Sequence, residues 1–215
     1  MSGWQYQVYT LGSFQTNSYV LWKEDRVLVI DPSYNPSQLL HDLSQLPPLS
    51  GIFLTHTHID HIAGLGAILD LFPCPVYVHP AEASWIANPN KNLSALLDEP
   101  LGFQVKPTPV TEEMNLGLED VRILHIPGHS PGSLCLWLAS DHLAFVGDLI
   151  FKDSVGRTDF PGGDGAVLNA SLVKLIRTLP YNCVLLPGHG PKTSLEREIY
   201  YNPYVREALA SEVVS

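Results

Sequence analysis

The chain has 215 residues, 45% of them hydrophobic and 16% charged, which suits a globular protein long enough to bury a core within one domain. Twelve Lys and Arg stand against 22 Asp and Glu, a formal net charge of -10. That balance argues against a nucleic-acid partner, RNA-processing nucleases included, because phosphate backbones reward clustered cations. No apolar run approaches the roughly 20 residues that a membrane-spanning helix needs. The N-terminal residues show no basic and apolar signal segment, so no secretory signal is expected. Cys74, Cys135 and Cys183 are odd in number, far apart and without a C-x-x-C pair. They read as buried thiols in a reducing cytoplasm, with no disulfide framework.

Three strands are predicted near the start: 5–9 by alternation, 18–22 by apolar and aromatic content, and 26–30 by branched residues. Glu24-Asp25 makes a hairpin turn between the last two. Asn35 is placed to cap a helix with Pro36 at its first position and Leu39, Leu40 and Leu43 on its buried side, closed by Pro47-Pro48. Residues 51–54 read as a buried strand, 62–71 as a helix and 76–79 as another strand. Residues 80–106 are loose and rich in Asn, Pro and Leu. A short helix near 82–86 is expected there, followed by a variable surface excursion that can also wall a substrate cleft. Strands return at 121–126, 134–138 and 143–146; a clear helical period covers 167–179. A short strand at 184–186 and a helix over 196–209, interrupted at Pro203, complete the chain. There is no linker, low-complexity tract or fixed-period repeat. The layout is mixed α/β, most simply two sheets packed together with helices outside.

Between the strand at 51–54 and the following helix, His56, His58, Asp60 and His61 put four metal-capable side chains in six residues, as His-x-His-x-Asp-His. They sit at the carboxyl end of a strand, where α/β proteins build their sites. Three more candidates follow the same local logic. His129 comes after Ile126-Pro127-Gly128, Asp148 after Phe145-Val146-Gly147, and His189 after Leu186-Pro187-Gly188. In each, an apolar strand stops and Gly lets the backbone turn. Brought to one sheet edge, these seven ligands are too many for one tetrahedral ion and suit two, with one carboxylate bridging. Local reach gives His56, His58 and His129 to the first ion and Asp60, His61 and His189 to the second, with Asp148 shared. Imidazole and carboxylate donors without thiolate favour two divalent ions, zinc before iron or manganese. Such a pair lowers the pKa of a bridging water from about 15.7 toward neutrality.

The other histidines are assigned to structure: His41 on a polar helix face, His142 in a turn, His79 and His125 in or beside strands. For His79 and His125, support behind a metal ligand is the alternative. The run from Gly156 to Asp164 either frames a cleft or simply connects, with Asp164 near the next helix start. It is no phosphate cradle, since no G-K-[ST] follows. Arg157 is its one cation, suited to a substrate carboxylate. Asp31 either orients a metal-bound histidine or is a plain turn residue. Tyr200, Tyr201, Asn202, Pro203 and Tyr204 read as core and capping, with a tyrosine touching substrate as the alternative.

His56-x-His58-x-Asp60-His61, with Gly128-His129, Gly147-Asp148 and Gly188-His189-Gly190, resembles the signature of the metallo-β-lactamase superfamily over nearly the whole chain. The resemblance implies an α/β fold, an αββα sandwich of two mixed β-sheets flanked by helices, with a dinuclear site at the sheet edge. Within that superfamily, the Gly156–Asp164 run, Gly188-His189-Gly190-Pro191 and Tyr201-Asn202-Pro203-Tyr204 resemble glyoxalase II (hydroxyacylglutathione hydrolase), especially its compact bacterial relatives. Longer glyoxalase II enzymes add a C-terminal helical domain that a chain stopping at Ser215 lacks. They also carry Lys where this sequence has Arg157, and tyrosines where it has Asp159 and Pro191. The hydrolytic site therefore carries over and the glutathione clamp largely does not, so a smaller or different acyl-thiol is the expected substrate.

The implied reaction is metal-assisted thioester hydrolysis. Asp60 binds the second metal and accepts a hydrogen bond that orients the nucleophile. A thiol, with a pKa of about 8.5, departs as thiolate with little acid help. An amine, as from a β-lactam, would need a proton donor that the sequence does not identify. Two rivals are kept. A persulfide dioxygenase would hold one Fe(II) on His56, His129 and Asp148. Such enzymes share the Gly-Arg-Thr-Asp-Phe run but carry Ala-His-Asp-Tyr where this chain has Gly188 to Pro191. The other rival is a non-catalytic metal-binding module. A small-molecule acyl-thiol is the expected partner; the oligomeric state stays open.

Overall fold

The computed structural model describes residues 3–112 and 114–213. The chain forms two compact units, Met1–Val110 and Thr111–Ser215.

In the first unit, β1 (Gln5–Leu11), β2 (Thr16–Lys23) and β3 (Arg26–Ile30) pair antiparallel. The β2–β3 hairpin closes through Glu24 and Asp25, with Lys23 opposite Arg26. Glu24 takes the left-handed φ of 55° that two-residue hairpin loops favour. α1 (Ser37–Leu43) then crosses to β4 (Gly51–Phe53), which runs parallel to β3. α2 (Ile59–Ile62) and α3 (Leu65–Leu71) lead to β5 (Val76–Val78), and β6 (Thr108–Pro109) ends the sheet, in the order β1-β2-β3-β4-β5-β6. Strands β3 to β6 are parallel. Whatever follows β3, β4 and β5 therefore arrives at one edge, and those three segments carry Asp31, the His-x-His-x-Asp-His motif and Glu82. Val20, Val29, Ile52, Leu54, Ile62, Leu65 and Val78 are fully buried beneath that edge. Each contributes about 1.5–3 kcal/mol by leaving water.

Three expectations are corrected in this unit. Asn35 does not cap α1: it takes a left-handed φ of 52°, and the helix begins after Pro36 with no side-chain cap. Asn tolerates that conformation, so it serves the turn instead. The helix expected near 82–86 is a single 3-10 turn, Pro80–Glu82. Nor does the excursion after it simply drape the surface. Trp85, Ile86, Asn92 and Ser94 are buried, and Leu97, Leu101 and Phe103 pack on the core. Side chains replace the missing regular structure. Asn92 Nδ2 and Ser94 Oγ both donate to the Leu101 carbonyl, at 2.9 and 2.7 Å.

The second unit contains β7 (Val121–His125), β8 (Leu134–Leu138), β9 (Leu143–Gly147), the small hairpin of β10 (Ile150–Phe151) and β11 (Ser154–Val155), and α4 (Gly165–Thr178). β12 (Val184–Pro187), β13 (Thr193–Ser194), α5 (Leu195–Tyr201) and α6 (Pro203–Val213) follow. The main sheet has the order β13-β12-β9-β8-β7. β8 is antiparallel to both β7 and β9, and β12 is parallel to β9. So β7, β9 and β12 point the same way, and the segments carrying His129, Asp148 and His189 leave one edge. Asp164 caps α4, its Oδ1 accepting from Ala166 N at 2.8 Å and Val167 N at 3.1 Å. The apolar stripe Leu168, Leu172, Leu175 is buried on the core of this unit.

Pro203 breaks the last helix as expected, and Asn202 organises the break. It is fully buried; its Oδ1 accepts from Tyr204 N at 3.0 Å, and its Nδ2 donates to Ser154 O at 2.9 Å and to Glu198 Oε2 at 3.0 Å. The tyrosines beside it are not core: Tyr200, Tyr201 and Tyr204 are 61%, 69% and 48% exposed. Cys135 and Cys183 are buried, Cys74 is half-buried, and all three are free thiols. Among the described residues, no helix is long and apolar enough to cross a membrane.

Candidate metal centre

The first unit carries its candidate ligands on a tight turn between β4 and α2. The imidazole rings of His56 and His58 lie with centroids 4.7 Å apart, and those of His56 and His61 4.0 Å apart. All three rings are buried, at 3% exposure or less, while Asp60 is half-buried in the first turn of α2. Three buried imidazoles this close could hold a divalent cation.

Three anchors hold this turn. Asp31, at the end of β3, accepts from Thr55 N at 2.7 Å and from Thr55 Oγ1 at 2.6 Å. The same carboxylate lies 2.9 Å from His61 Nδ1. A carboxylate can only accept, so Nδ1 carries the proton and Nε2 carries the lone pair that binds metals. Asp31, His56 and His61 bring one donor atom each within 4.8 Å of one another. Asp31 is best read as orienting, since its two oxygens already receive three hydrogen bonds. Glu82, fully buried, accepts from Thr57 N at 2.7 Å and Thr57 Oγ1 at 2.8 Å through one oxygen. Thr16 on β2 donates to Asp60 Oδ2 at 2.9 Å, and Asp60 Oδ2 lies 3.4 Å from His61 Nε2. Thr16 and Glu82 carried no local sequence signal: each acts on a residue 25 or more positions away.

In the second unit, Asp148 sits between two histidines. Its Oδ2 is 3.6 Å from His129 Nε2 and 3.4 Å from His189 Nε2. His129 Nδ1 is 2.7 Å from the Arg157 carbonyl oxygen, which again fixes the tautomer with Nε2 toward Asp148. Gly156 makes that approach possible. A Cβ there would stand 1.8 Å from Asp148 O and 3.1 Å from His129 Nδ1. Gly128, with φ 127°, is equally constrained, since a Cβ would stand 2.3 Å from Leu168 N.

Arg157 does not present an open guanidinium. Its Nε and Nη2 donate to the two oxygens of Asp159, each at 2.6 Å, and its Cζ lies 4.0 Å over the Phe160 ring. This pairing holds the Asp159 carboxyl down at about 2. His79 caps the 3-10 turn with Nδ1, His125 Nε2 bonds Pro131 O at 2.9 Å, His41 is exposed, and His142 occupies a left-handed turn. Their placements, on a helix, in a turn and in or beside strands, are those expected from the sequence.

The His-x-His-x-Asp-His turn and the three strand-end ligands all fall within, or at the last residue of, one family match, which covers residues 11–189 and is described as the metallo-beta-lactamase superfamily. The chain belongs to the metallo-β-lactamase superfamily. It has that fold, with mixed sheets and helices. This superfamily member is 34% identical over 203 residues to the probable metallo-hydrolase YqgX of Bacillus subtilis (strain 168), spanning 91% of this chain and 94% of the relative. It is 27% identical over 212 residues to the hydroxyacylglutathione hydrolase GloC of Haemophilus influenzae, spanning 93% and 97%. Among solved structures, it is similar to the BLEG-1 B3 metallo-beta-lactamase, with TM-score 0.87, 34% identity, and 94% and 99% of the two chains covered. It is also similar to TTHA1623 in a di-iron-bound form, with TM-score 0.84, 34% identity, and 92% and 99% covered. The donor set of imidazoles and carboxylates, tautomers fixed at Nδ1 in His61 and His129, fits a borderline divalent metal.

Proposed function

We propose that this superfamily member is a metal-dependent thioester hydrolase whose two units act as one catalytic domain. In this reading His56, His58 and His129 hold one divalent ion, Asp60, His61 and His189 hold a second, and Asp148 serves both. Zinc suits these donors best, and iron, as in the di-iron TTHA1623, is the next choice. When bound, such a pair supplies an activated water and charge stabilisation at the carbonyl oxygen.

The chain's own residues do the rest. Asp31 and the Arg157 carbonyl hold His61 and His129 in one tautomer. Thr16 fixes one oxygen of Asp60, leaving the carboxylate oriented to accept a proton-bearing nucleophile. Arg157 grips the substrate after exchanging Asp159 for a substrate carboxylate. The substrate is a small-molecule acyl-thiol, and the setting is cytoplasmic.

The observation that carries the thioester reading is the acid–base inventory around the ligands. It contains carboxylates, imidazoles and hydroxyls, the Tyr34 phenol near Asp60 among them with its pKa raised by burial, and a thiolate departs without needing a proton from any of these. The likeness to GloC supports it; the likeness to BLEG-1 supports a lactam substrate instead. The test is metal removal and return. Chelation should abolish hydrolysis of acyl-thioesters, and zinc should restore it. Thioester hydrolysis that survives complete metal removal would refute the proposal.

A further inference from the structure

Glu82 lies outside the family's ligand pattern, yet it is fully buried and spends one carboxylate oxygen on a single residue of the motif, Thr57. Burying a carboxylate is expensive unless it is hydrogen-bonded, so this contact is specific and not incidental. Its placement follows from the sheet. β5 is the parallel neighbour of β4, and the 3-10 turn at its carboxyl end brings Glu82 beside the turn after β4.

Thr57 stands between His56 and His58, and His58 has extended backbone. Glu82 grips the turn at Thr57. It takes both the backbone N–H and the hydroxyl, which fixes the peptide plane as well as the side chain. Asn92, from the same excursion, adds a second hold by accepting from Ile59 N at 2.7 Å. Asp31, on the other neighbouring strand, holds His61 directly and reaches His56 through Thr55. Asp31 thus serves both halves of the motif, whereas Glu82 acts at Thr57, between His56 and His58.

We propose that Glu82 is the positioning residue of the His56/His58 metal position, and that losing it weakens that position while sparing the one that uses Asp60 and His61. This rests on the dinuclear reading above. The loose 80–106 excursion thereby gains a structural purpose, which is to deliver Glu82 and Asn92 to the ligand turn.

The test uses the full chain, wild type and the variants Glu82→Ala, Glu82→Gln and Thr57→Val. Zinc affinity of each step is measured by chelator competition, zinc per chain by elemental analysis, and folding of the metal-free forms by thermal melting. Glu82→Ala should weaken one zinc step by tenfold or more and leave the other within about twofold, the range usual for groups supporting a ligand. Glu82→Gln should keep most of the affinity, because one amide oxygen can accept both hydrogen bonds. Thr57→Val, which keeps the N–H and loses the hydroxyl, should fall between. Should Glu82→Ala fail to fold, the Gln and Val variants decide by the same ordering. Equal weakening of both steps, or no weakening in any variant, overturns the inference. A wild-type chain that does not bind two zinc ions overturns the dinuclear reading itself, a result distinct from two tight sites in the wild type that Glu82 does not affect.

Discussion

The imidazole of His129 is held from behind by the backbone carbonyl of Arg157, 2.7 Å from Nδ1. One loop therefore fixes the tautomer of His129 with its backbone and pairs its guanidinium with Asp159. The placement of His129 and the setting of the guanidinium are coupled through residues 156–160.

Gly156 is where that coupling is tightest. Gly156→Ala would force a methyl group to within 1.8 Å of Asp148 O, so the Asp148 backbone must move. The expected cost is about 3 kcal/mol of stability, with metal affinity lowered at least tenfold. Chemical denaturation and chelator competition check the two effects. Unchanged metal affinity would show that the loop does not position Asp148.

Asp148→Ala should remove metal and activity together, because the carboxylate stands 3.6 and 3.4 Å from two candidate ligands, His129 and His189. Elemental analysis of the purified variant should find fewer than two metals per chain. Full two-metal occupancy would contradict the proposed partition.

Arg157 and Asp159 make opposite predictions. Arg157→Ala should raise KM more than it lowers kcat for an acyl-thiol bearing a carboxylate. Asp159→Asn releases the guanidinium and should lower that KM, leaving neutral thioesters unchanged. The pH dependence follows in sign from the Asp159 carboxyl, held at about 2 by Arg157 and so below its unfolded value of about 3.9. The pair is intact above about pH 4 and is lost as pH falls toward 2. KM profiles between pH 5 and 8 should therefore show no step from this pair, and a step there that Asp159→Asn abolishes would count against it.

Burial pushes the thiols of Cys74 and Cys183 up to about 11 and about 12, and that of Cys135 well above the usual range. Since the thiolate is the nucleophile, iodoacetamide at pH 8 should leave the native protein unmodified and label three sites after unfolding. Mass spectrometry distinguishes these; rapid native labelling of Cys135 or Cys183 would contradict their burial.

Asn202→Ala should cost about 2 kcal/mol, because the buried oxygens of Ser154 and Glu198 lose a donor. For a chain of this size that lowers Tm by roughly 4–8 °C. A shift under 1 °C would mean that water replaces the amide.

The fold was legible where pattern is dense. The branched run of β3 and the apolar run of β8 have the bounds read from sequence. The candidate ligand turn was legible because its four donors fall within six residues. The two-residue strands β6, β10, β11 and β13 carry too few residues to show alternation. The tyrosines beside Asn202 misled because aromatic content was taken for core, whereas all three are exposed, with Tyr200 and Tyr201 meeting edge-on at the surface. Glu82 and Thr16 were invisible for a different reason: strand order, not sequence distance, makes them neighbours of the motif.

The central claim is metal-dependent thioester hydrolysis. Its most direct test is a panel of acyl-thioesters of glutathione, coenzyme A and small thiols, with a β-lactam and a persulfide alongside, on protein whose metal content is measured in the same sample. The account predicts two divalent metals per chain and turnover of at least one thioester well above the β-lactam. One iron per chain with oxygen consumed on persulfide, or β-lactam turnover with every thioester inert, would contradict it.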